Sequence, residues 1–357
     1  MVTKDREKIL YGEAIREATS QCMVKDDSII VLGEGVNDPA GMWGSTLDLY
    51  KEFGDSRVFD VPNSENGFTG MAIGAALNGL RPIIVHQRNE FLLLAMDQIV
   101  NQAAKWAYMF DGKGHVPIIV RAVVGRGWGQ GAQHAQSLQS LFMHFPGLKV
   151  VMPSNAYDAK GLLTSALLRE SGPVVFIEHR WLYKKACAVP EEMYEVPIGK
   201  AKVVRGGNDA TIVSISQSLY DSLKAAEILS TFGINVEVID AVTTRPLDVE
   251  TIANSVKKTG KLVAVDTSWK MCSFASEVCA SIAEDENAFK YLEAPVKRIA
   301  CAEVPIPTAY ALESLFYPNS KDIVTAILQM LKKEVGDLEK VLENEDYFTK
   351  KNFSGSF

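Results

Sequence analysis

Cysteine is scarce in this 357-residue sequence: Cys22, Cys187, Cys272, Cys279 and Cys301 are an odd number, widely scattered, and none forms a C-x-x-C pair. That pattern offers neither a disulfide framework nor a cysteine-ligated zinc site, and it fits a reducing compartment. An excess of positive charge is lacking too. Lys and Arg number 37 against 44 Asp and Glu, a formal net charge of −7, and with no basic stripe neither nucleic acid nor an anionic membrane is expected as a partner. No apolar run approaches the roughly 18 residues of a membrane span. The opening MVTKDREKILYGEAIREA places charges where a secretion signal needs apolar residues, so a mature cytoplasmic protein is expected. The five histidines show no metal-ligand spacing such as H-E-x-x-H, so no catalytic metal is assigned. There is no Walker A loop and no G-x-S-x-G, and Gly127-Trp128-Gly129-Gln130-Gly131 lacks the strict G-x-G-x-x-G of a dinucleotide site.

What is present is an alternation of apolar runs and helical periods. The length exceeds one typical core, so two domains are expected. Apolar spacing at Ile9, Leu10, Ala14, Ile15, Ala18 and Cys22 predicts a helix over 7–24, and a strand follows at 28–32. A loop and helix over 38–53, a strand at 57–60, a Gly/Ala-rich buried helix over 66–80 and a strand at 82–85 come next. The pattern continues with a helix over 92–110, a buried strand over 116–124, a strand at 148–152, a helix over 156–169 and a strand at 174–178. This alternation implies an α/β fold with a mainly parallel sheet covered on both faces. Periodicity fails over 181–201, where Pro190 and Pro197 mark a linker. A second α/β alternation runs from a strand at 210–216 to a strand at 296–300, and a helix over 320–333 closes it. We therefore divide the chain into 1–190, 191–333 and a charged tail, 334–357.

The chemistry concentrates between Asp60 and Leu94. Glu65 stands at a turn between a strand and the small-residue helix, and the polar run His86, Gln87, Arg88, Asn89, Glu90 leads to Phe91. Glu34, in the turn Gly33-Glu34-Gly35, falls at another strand end. Carboxylates in such places serve proton transfer when burial raises their pKa, although a solvated or capping role is the commoner fate. His134 lies in the glycine-rich stretch GRGWGQGAQHAQS, where an imidazole can act near neutral pH. His144 and His179 read as packing or hydrogen-bonding residues, and packing is the default for Trp43, Trp106, Trp128, Trp181 and Trp269.

Four stretches carry a more specific signal: SENGFTGMAIGAALNGLRPI, AMDQIVNQAAK, GAQHAQSLQSLFMHFPGLKVVMPSNAYDAKGLL and VIDAVTTRPLDVETIANSVKKTGKLV. In order and content they resemble the β subunit of the thiamine-diphosphate-dependent 2-oxoacid dehydrogenases, which act on pyruvate, branched-chain 2-oxoacids or acetoin, from about residue 10 to about residue 330. The resemblance implies a pyrimidine-binding domain followed by a transketolase C-terminal-like domain, in an α2β2 assembly with an α subunit and a second β subunit. It carries the family's S-E-x-G-[FI] glutamate onto Glu65, which would hydrogen-bond the aminopyrimidine ring. It carries the ring-stacking aromatic onto Phe91 and the loop histidine onto His134. Glu34, in LGEGV where the family has L-G-E-D-V, would lie near the cofactor, together with Asn63 and Gln87. The G-D-G…N motif that holds Mg2+ and the diphosphate is absent from this sequence; in the family it belongs to the α subunit, so one chain holds half a site. A structural K+ site is implied near the turn RESGP (169–173), one residue longer here than usual.

The departures concern the substrate. Where relatives carry mainly apolar or small residues, this sequence has Gln87, Arg88, Asn89 and Glu90. Arg88 and Glu90 form either an ion pair in a loop or part of a polar pocket for a hydroxylated or anionic substrate, and Asn63, Arg126 and Trp128 lean toward the second. The resemblance implies decarboxylation of a 2-oxoacid and acyl transfer to a lipoyl-bearing acyltransferase. The alternative is a two-chain transketolase-like or acyloin-forming enzyme that works without lipoate. A non-catalytic subunit fits less well with Glu65, Phe91 and His134 present together.

Overall fold

The computed structural model describes residues 5–125, 130–336 and 338; Arg126 and Trp128 of the glycine-rich stretch, and nearly all of the charged tail, lie outside them. Strand β1 (Asp5–Leu10) leads into α1 (Tyr11–Lys25). There follow β2 (Ile29–Gly33), α2 (Leu49–Phe53), β3 (Val58–Asp60), α3 (Glu65–Leu77), β4 (Arg81–His86), α4 (Trp106–Met109), β5 (Ile119–Val124), α5 (Gln139–His144), β6 (Lys149–Val151), α6 (Ala156–Arg169) and β7 (Val174–His179). Strand β8 (Ala186–Pro190) returns to pair antiparallel with β1. The second half comprises β9 (Lys202–Arg205), β10 (Thr211–Ser214), α7 (Ser218–Thr231), β11 (Glu237–Asp240), β12 (Thr243–Arg245), α8 (Val249–Thr259) and β13 (Leu262–Trp269). It ends with α9 (Phe274–Glu284), α10 (Glu286–Phe289), β14 (Lys297–Cys301), α11 (Tyr310–Phe316) and α12 (Ser320–Leu331).

Two mainly parallel sheets result, in the order β12-β6-β7-β5-β4-β2-β3 and β14-β13-β10-β11-β9. Among the described residues of these two sheets, only β12 and β9 run antiparallel to their neighbours. The central strands are largely apolar because both faces are covered. Ile29, Val31, Ile83 and Val85 pack with Ile15 and Ala18 of α1 and Leu162 and Ala166 of α6. Their alternates Ile30, Leu32 and Ile84 pack with Phe68, Ala72 and Ile73 of α3. Side chains alternating across a strand thus feed two cores from one run.

Several expectations are corrected. The helix expected over 7–24 begins only at Tyr11, after β1, and the linker over 181–201 contains β8. These two strands form a separate ribbon, and β8 is buried only at Val189, so no alternation of burial marks it. The single helix expected over 92–110 is instead a 3-10 segment (Asn89–Ala95), a π segment (Asp97–Ala103) and the short α4. Apolar periodicity reports which side chains face inward, and Leu92, Ala95, Ile99, Val100 and Ala103 are all buried; it does not report whether each N–H reaches back three, four or five residues. Helix α3 is not buried all round, since Met71 is about half exposed. Short elements α5, β9, β12, α10 and α11 escaped the sequence reading because three to seven residues hold too few turns or pleats to display a period.

The two halves are stitched together. Strand β12 comes from the second half but extends the first sheet beside β6, and Met152 N–H donates to Val242 O at 2.9 Å. At the joint, buried Asp240 accepts from Ser154 Oγ at 3.0 Å and from Val242 N–H at 3.1 Å. Burial first, and then repulsion from Asp158, push the Asp240 carboxyl up to about 7, against the pull of those hydrogen bonds and of Lys202. An acid with a folded pKa above its unfolded value stabilises the fold while protonated and loses that contribution as pH rises. The window here runs from about 4, the ordinary Asp range, to about 7. Urea denaturation at pH 4.5 and 7.5 should show Asp240→Asn losing less stability over this interval than the unmodified chain, by a few kcal/mol; parallel pH profiles would contradict the assignment.

Candidate functional site at the carboxyl edge of the first sheet

The strand order reverses beside β2: the chain goes outward to β3 and then returns to β4 on the other side of β2. In open parallel sheets the crevice for a ligand lies at the carboxyl ends of the strands at such a reversal. The turn after β2 carries Glu34, and the run after β4 carries Gln87 to Phe91. The two strands approach closely there. A Cβ at Gly33 would overlap the Val85 carbonyl, and Glu34 N–H donates to Val85 O at 3.3 Å. At Gly35, with φ +72°, a Cβ would lie 3.1 Å from Gln87 Nε2 and 3.0 Å from an Asp38 carboxylate oxygen. Asp60, at the end of β3, accepts from Val36 N–H at 2.8 Å and Asn37 N–H at 3.3 Å, which anchors the turn from below.

The structure brings the candidate residues into two groups. In the first, Glu34 is buried, and its carboxyl is pushed upward by burial and then by repulsion from Glu65; one of its oxygens has no hydrogen-bond partner among the described residues. The commoner solvated fate therefore does not hold for Glu34. Glu65 opens α3 and is half-buried, Gln87 stands beside Gly35, and Asn63 is exposed on the turn ahead of α3. In the second group the Phe91 and His134 rings meet edge to face, with centroids 5.6 Å apart and planes at 88°. The two loops are tied where Gln136 N–H donates to Glu90 Oε1 at 2.7 Å. Glu90 is thus held by the loop of His134, and no direct ion-pair contact joins it to Arg88 among the described residues. His86 is an end-of-strand core residue, its ring 5.0 Å from Phe68, and burial pushes its pKa down to about 3.

The second half of the chain buttresses the His134 loop, which the sequence reading did not anticipate. Ala135 packs with Cys301, Ile306 and Phe316, Tyr317 Oη donates to Ala135 O at 3.4 Å, and Gln139 Nε2 donates to Asp266 Oδ1 at 2.8 Å. Beneath the site a buried ion pair locks β5 to β7: Arg121 donates to both Glu178 oxygens at 2.6 and 3.0 Å and to Ser45 Oγ at 2.7 Å, and Tyr183 donates its hydroxyl to Glu178. Trp43, expected to be ordinary packing, lies edge-on to Tyr183 and has two guanidinium groups over its ring, those of Arg88 and Arg180. Arg180 is a buried residue of this sheet edge that sequence reasoning missed. The only signal was its place directly after β7, at the same sheet edge.

Comparison with known proteins gives a consistent result. The transketolase pyrimidine-binding domain matches residues 7–185 and the transketolase C-terminal domain matches residues 199–323. The chain is 41% identical over 335 residues to the acetoin:2,6-dichlorophenolindophenol oxidoreductase subunit beta of Bacillus subtilis strain 168, covering 90% of this chain and 97% of that one. It is also 41% identical over 320 residues to the pyruvate dehydrogenase E1 component subunit beta of Rickettsia bellii, covering 90% and 98%. Among solved structures, a split-gene transketolase described as an inactive β4 tetramer superposes with a TM-score of 0.74 at 23% identity, over 91% of this chain and 98% of that one; at that identity the likeness speaks for the fold.

The Arg121–Glu178 pair yields a direct test. Glu178→Gln leaves a guanidinium buried without its counter-charge and should cost about 3–5 kcal/mol in denaturant unfolding. The double change Arg121→Met with Glu178→Leu should cost less than the single one, and the reverse order would deny the pair its supporting role.

Proposed function

This chain belongs to the β subunits of the thiamine-diphosphate-dependent 2-oxoacid dehydrogenases, and on that premise we propose that the reversal edge of its first sheet holds the pyrimidine half of the cofactor. The observation that carries this reading is the meeting of Glu34, Glu65 and Gln87 on one side of the crevice, with the Phe91–His134 ring pair on a neighbouring loop. A buried carboxyl with an unpartnered oxygen suits a polar ring that supplies the missing hydrogen bond. Thiamine diphosphate would supply the carbanion chemistry, while the protein orients the ring and places protons.

In this assignment Glu65 would hold a pyrimidine nitrogen of the cofactor by a hydrogen bond and so influence where its proton sits. Burial, and then repulsion from Glu65, push the Glu34 carboxyl upward, which suits it to a polar ring that completes its hydrogen bonding. Phe91 packs on the ring, Gln87 and Asn63 offer amide contacts at the rim, and His134, steadied by Phe91, moves a proton at the substrate. We place the pyrimidine-binding unit at residues 1–190 and the C-terminal unit at 191–333.

The diphosphate and its Mg2+ fall to an α partner. Exposed Met71, Leu93, Leu94, Tyr108 and Phe110 support such a partner, since apolar residues gathered on neighbouring segments mark interaction surfaces. An α2β2 assembly with a second β subunit, and acyl transfer to a lipoyl acyltransferase, complete the proposal, with a cytoplasmic location. Among the described residues no helix is long and apolar enough to cross a membrane. We assign no K+ to the turn at 169–173. The Glu170 carbonyl there accepts from Arg81 Nη2 at 2.6 Å and its carboxylate pairs with Lys149, so two cationic side chains already hold the turn.

Reconstituted with its α partner, Glu65→Gln should lower 2-oxoacid decarboxylation by at least about 100-fold, in line with the loss of a positioned proton-transfer group, while circular dichroism and melting temperature stay unchanged. Full activity in that variant would remove Glu65 from the mechanism. Carboligation without acylation of a lipoyl domain would instead favour the transketolase-like reaction.

A further inference from the structure

Two guanidinium groups are buried beside the site, and among the described residues no carboxylate makes an ion-pair contact with either. Arg88 is 7% exposed and Arg180 1%, and their guanidinium carbons lie 5.3 and 5.1 Å from the centre of the same Trp43 ring. Neither Nε nor either Nη of Arg180 has a hydrogen bond among the described residues, and Arg88 Nη1 has none. Of the nearby carboxylates, Glu90 favours the charged form of Arg88 without an ion-pair contact to it, and Arg180 has no such counterpart. Glu178 is taken by Arg121 and Tyr183, and Glu90 gives one oxygen to Gln136 N–H and has its pKa raised by burial. Burial and the neighbouring Arg88 push the Arg180 guanidinium down to about 10. A buried like-charged pair is destabilising unless something answers it, and stacking on one indole offsets only part of that cost.

We propose that Arg88 and Arg180 form an anion subsite that takes the second anionic group, carboxylate or phosphate, of a 2-oxoacid substrate. The inference rests on the functional reading above and narrows its substrate class. Guanidinium forks suit the planar carboxylate and the phosphate equally well. The placement fits. Arg88 stands three residues before Phe91 and accepts its N–H through the backbone carbonyl at 3.2 Å. Arg180 follows His179, whose ring fills the space where a Cβ at Gly125 would be, at the root of the loop that carries His134. An anionic tail held here would lie between the strand ends that also carry the ring pair.

The test is calorimetric titration of the αβ assembly without thiamine diphosphate, so that nothing turns over. The probes are 2-oxobutyrate, with a neutral tail, 2-oxoglutarate, with a carboxylate tail, a 2-oxoacid with a phosphorylated tail, and inorganic phosphate. At least one anionic-tailed acid should bind ten-fold or more tighter than 2-oxobutyrate, and which one does so identifies the group. Arg88→Met with Arg180→Met should abolish the difference, and Arg180→Lys should retain part of it. In the ligand-free protein Arg180→Met should raise the melting temperature, because a buried charge without a partner is removed. Equal binding of neutral and anionic tails would overturn the proposal, as would discrimination that survives the double Met change or a lower melting temperature in Arg180→Met. Phosphate binding to the β chain alone that vanishes in the αβ assembly would also overturn it, since a carboxylate of the α partner would then be the answering anion. Because the readout is binding, an active Glu65→Gln enzyme would sink the functional reading while leaving this discrimination measurable.

Discussion

Everything at the site depends on how closely β2 and β4 approach where the strand order reverses. The absence of a side chain at Gly33 lets the backbone pass against the Val85 carbonyl, and the next residue, Glu34, is thereby turned into the crevice instead of toward solvent. The same approach sets the start of the run after β4, so Gln87 meets Gly35 and the polar residues after it line the edge. A side chain at position 33 would pry the strands apart, and Glu34 would lose its water-poor setting beside Glu65.

Charge at this edge is managed by burial as much as by pairing. Arg121 and Glu178 satisfy one another and hold two strands together, while Glu34 is left partly unsatisfied and repelled by Glu65, and Arg88 and Arg180 share one indole with no ion-pair contact among the described residues. A fold built only for stability would replace such groups with apolar ones. Groups left without partners at these strand ends, in a chain with two well-packed sheets, are what the proposed site would require.

The second half contributes to the first in ways the chain order conceals. Strand β12 completes the first sheet, and the cluster of Cys301, Ile306 and Phe316 receives Ala135, next to His134. The candidate histidine is therefore positioned by residues more than 150 positions away. Fold class and most long elements were legible, α6 to the residue, because strands buried on both faces and amphipathic helices leave strong periods. The ribbon of β1 and β8 and the winding of 89–109 were not, because a strand with one buried residue has no burial period and helical types share nearly the same inward face.

The site was legible in part. Glu34, Glu65, Gln87, Phe91 and His134 could be named from strand ends and motif order, and the family from four stretches read in sequence, since local backbone geometry and local chemistry are encoded locally. Which of these residues touch was decided only in three dimensions. The Glu34–Glu65 repulsion, the Phe91–His134 ring contact, the tie from Glu90 to Gln136, and the meeting of Arg88 with Arg180 across Trp43 each join segments from different strands. Their proximity follows from sheet order, and sheet order is set by long-range packing that no single stretch of sequence contains.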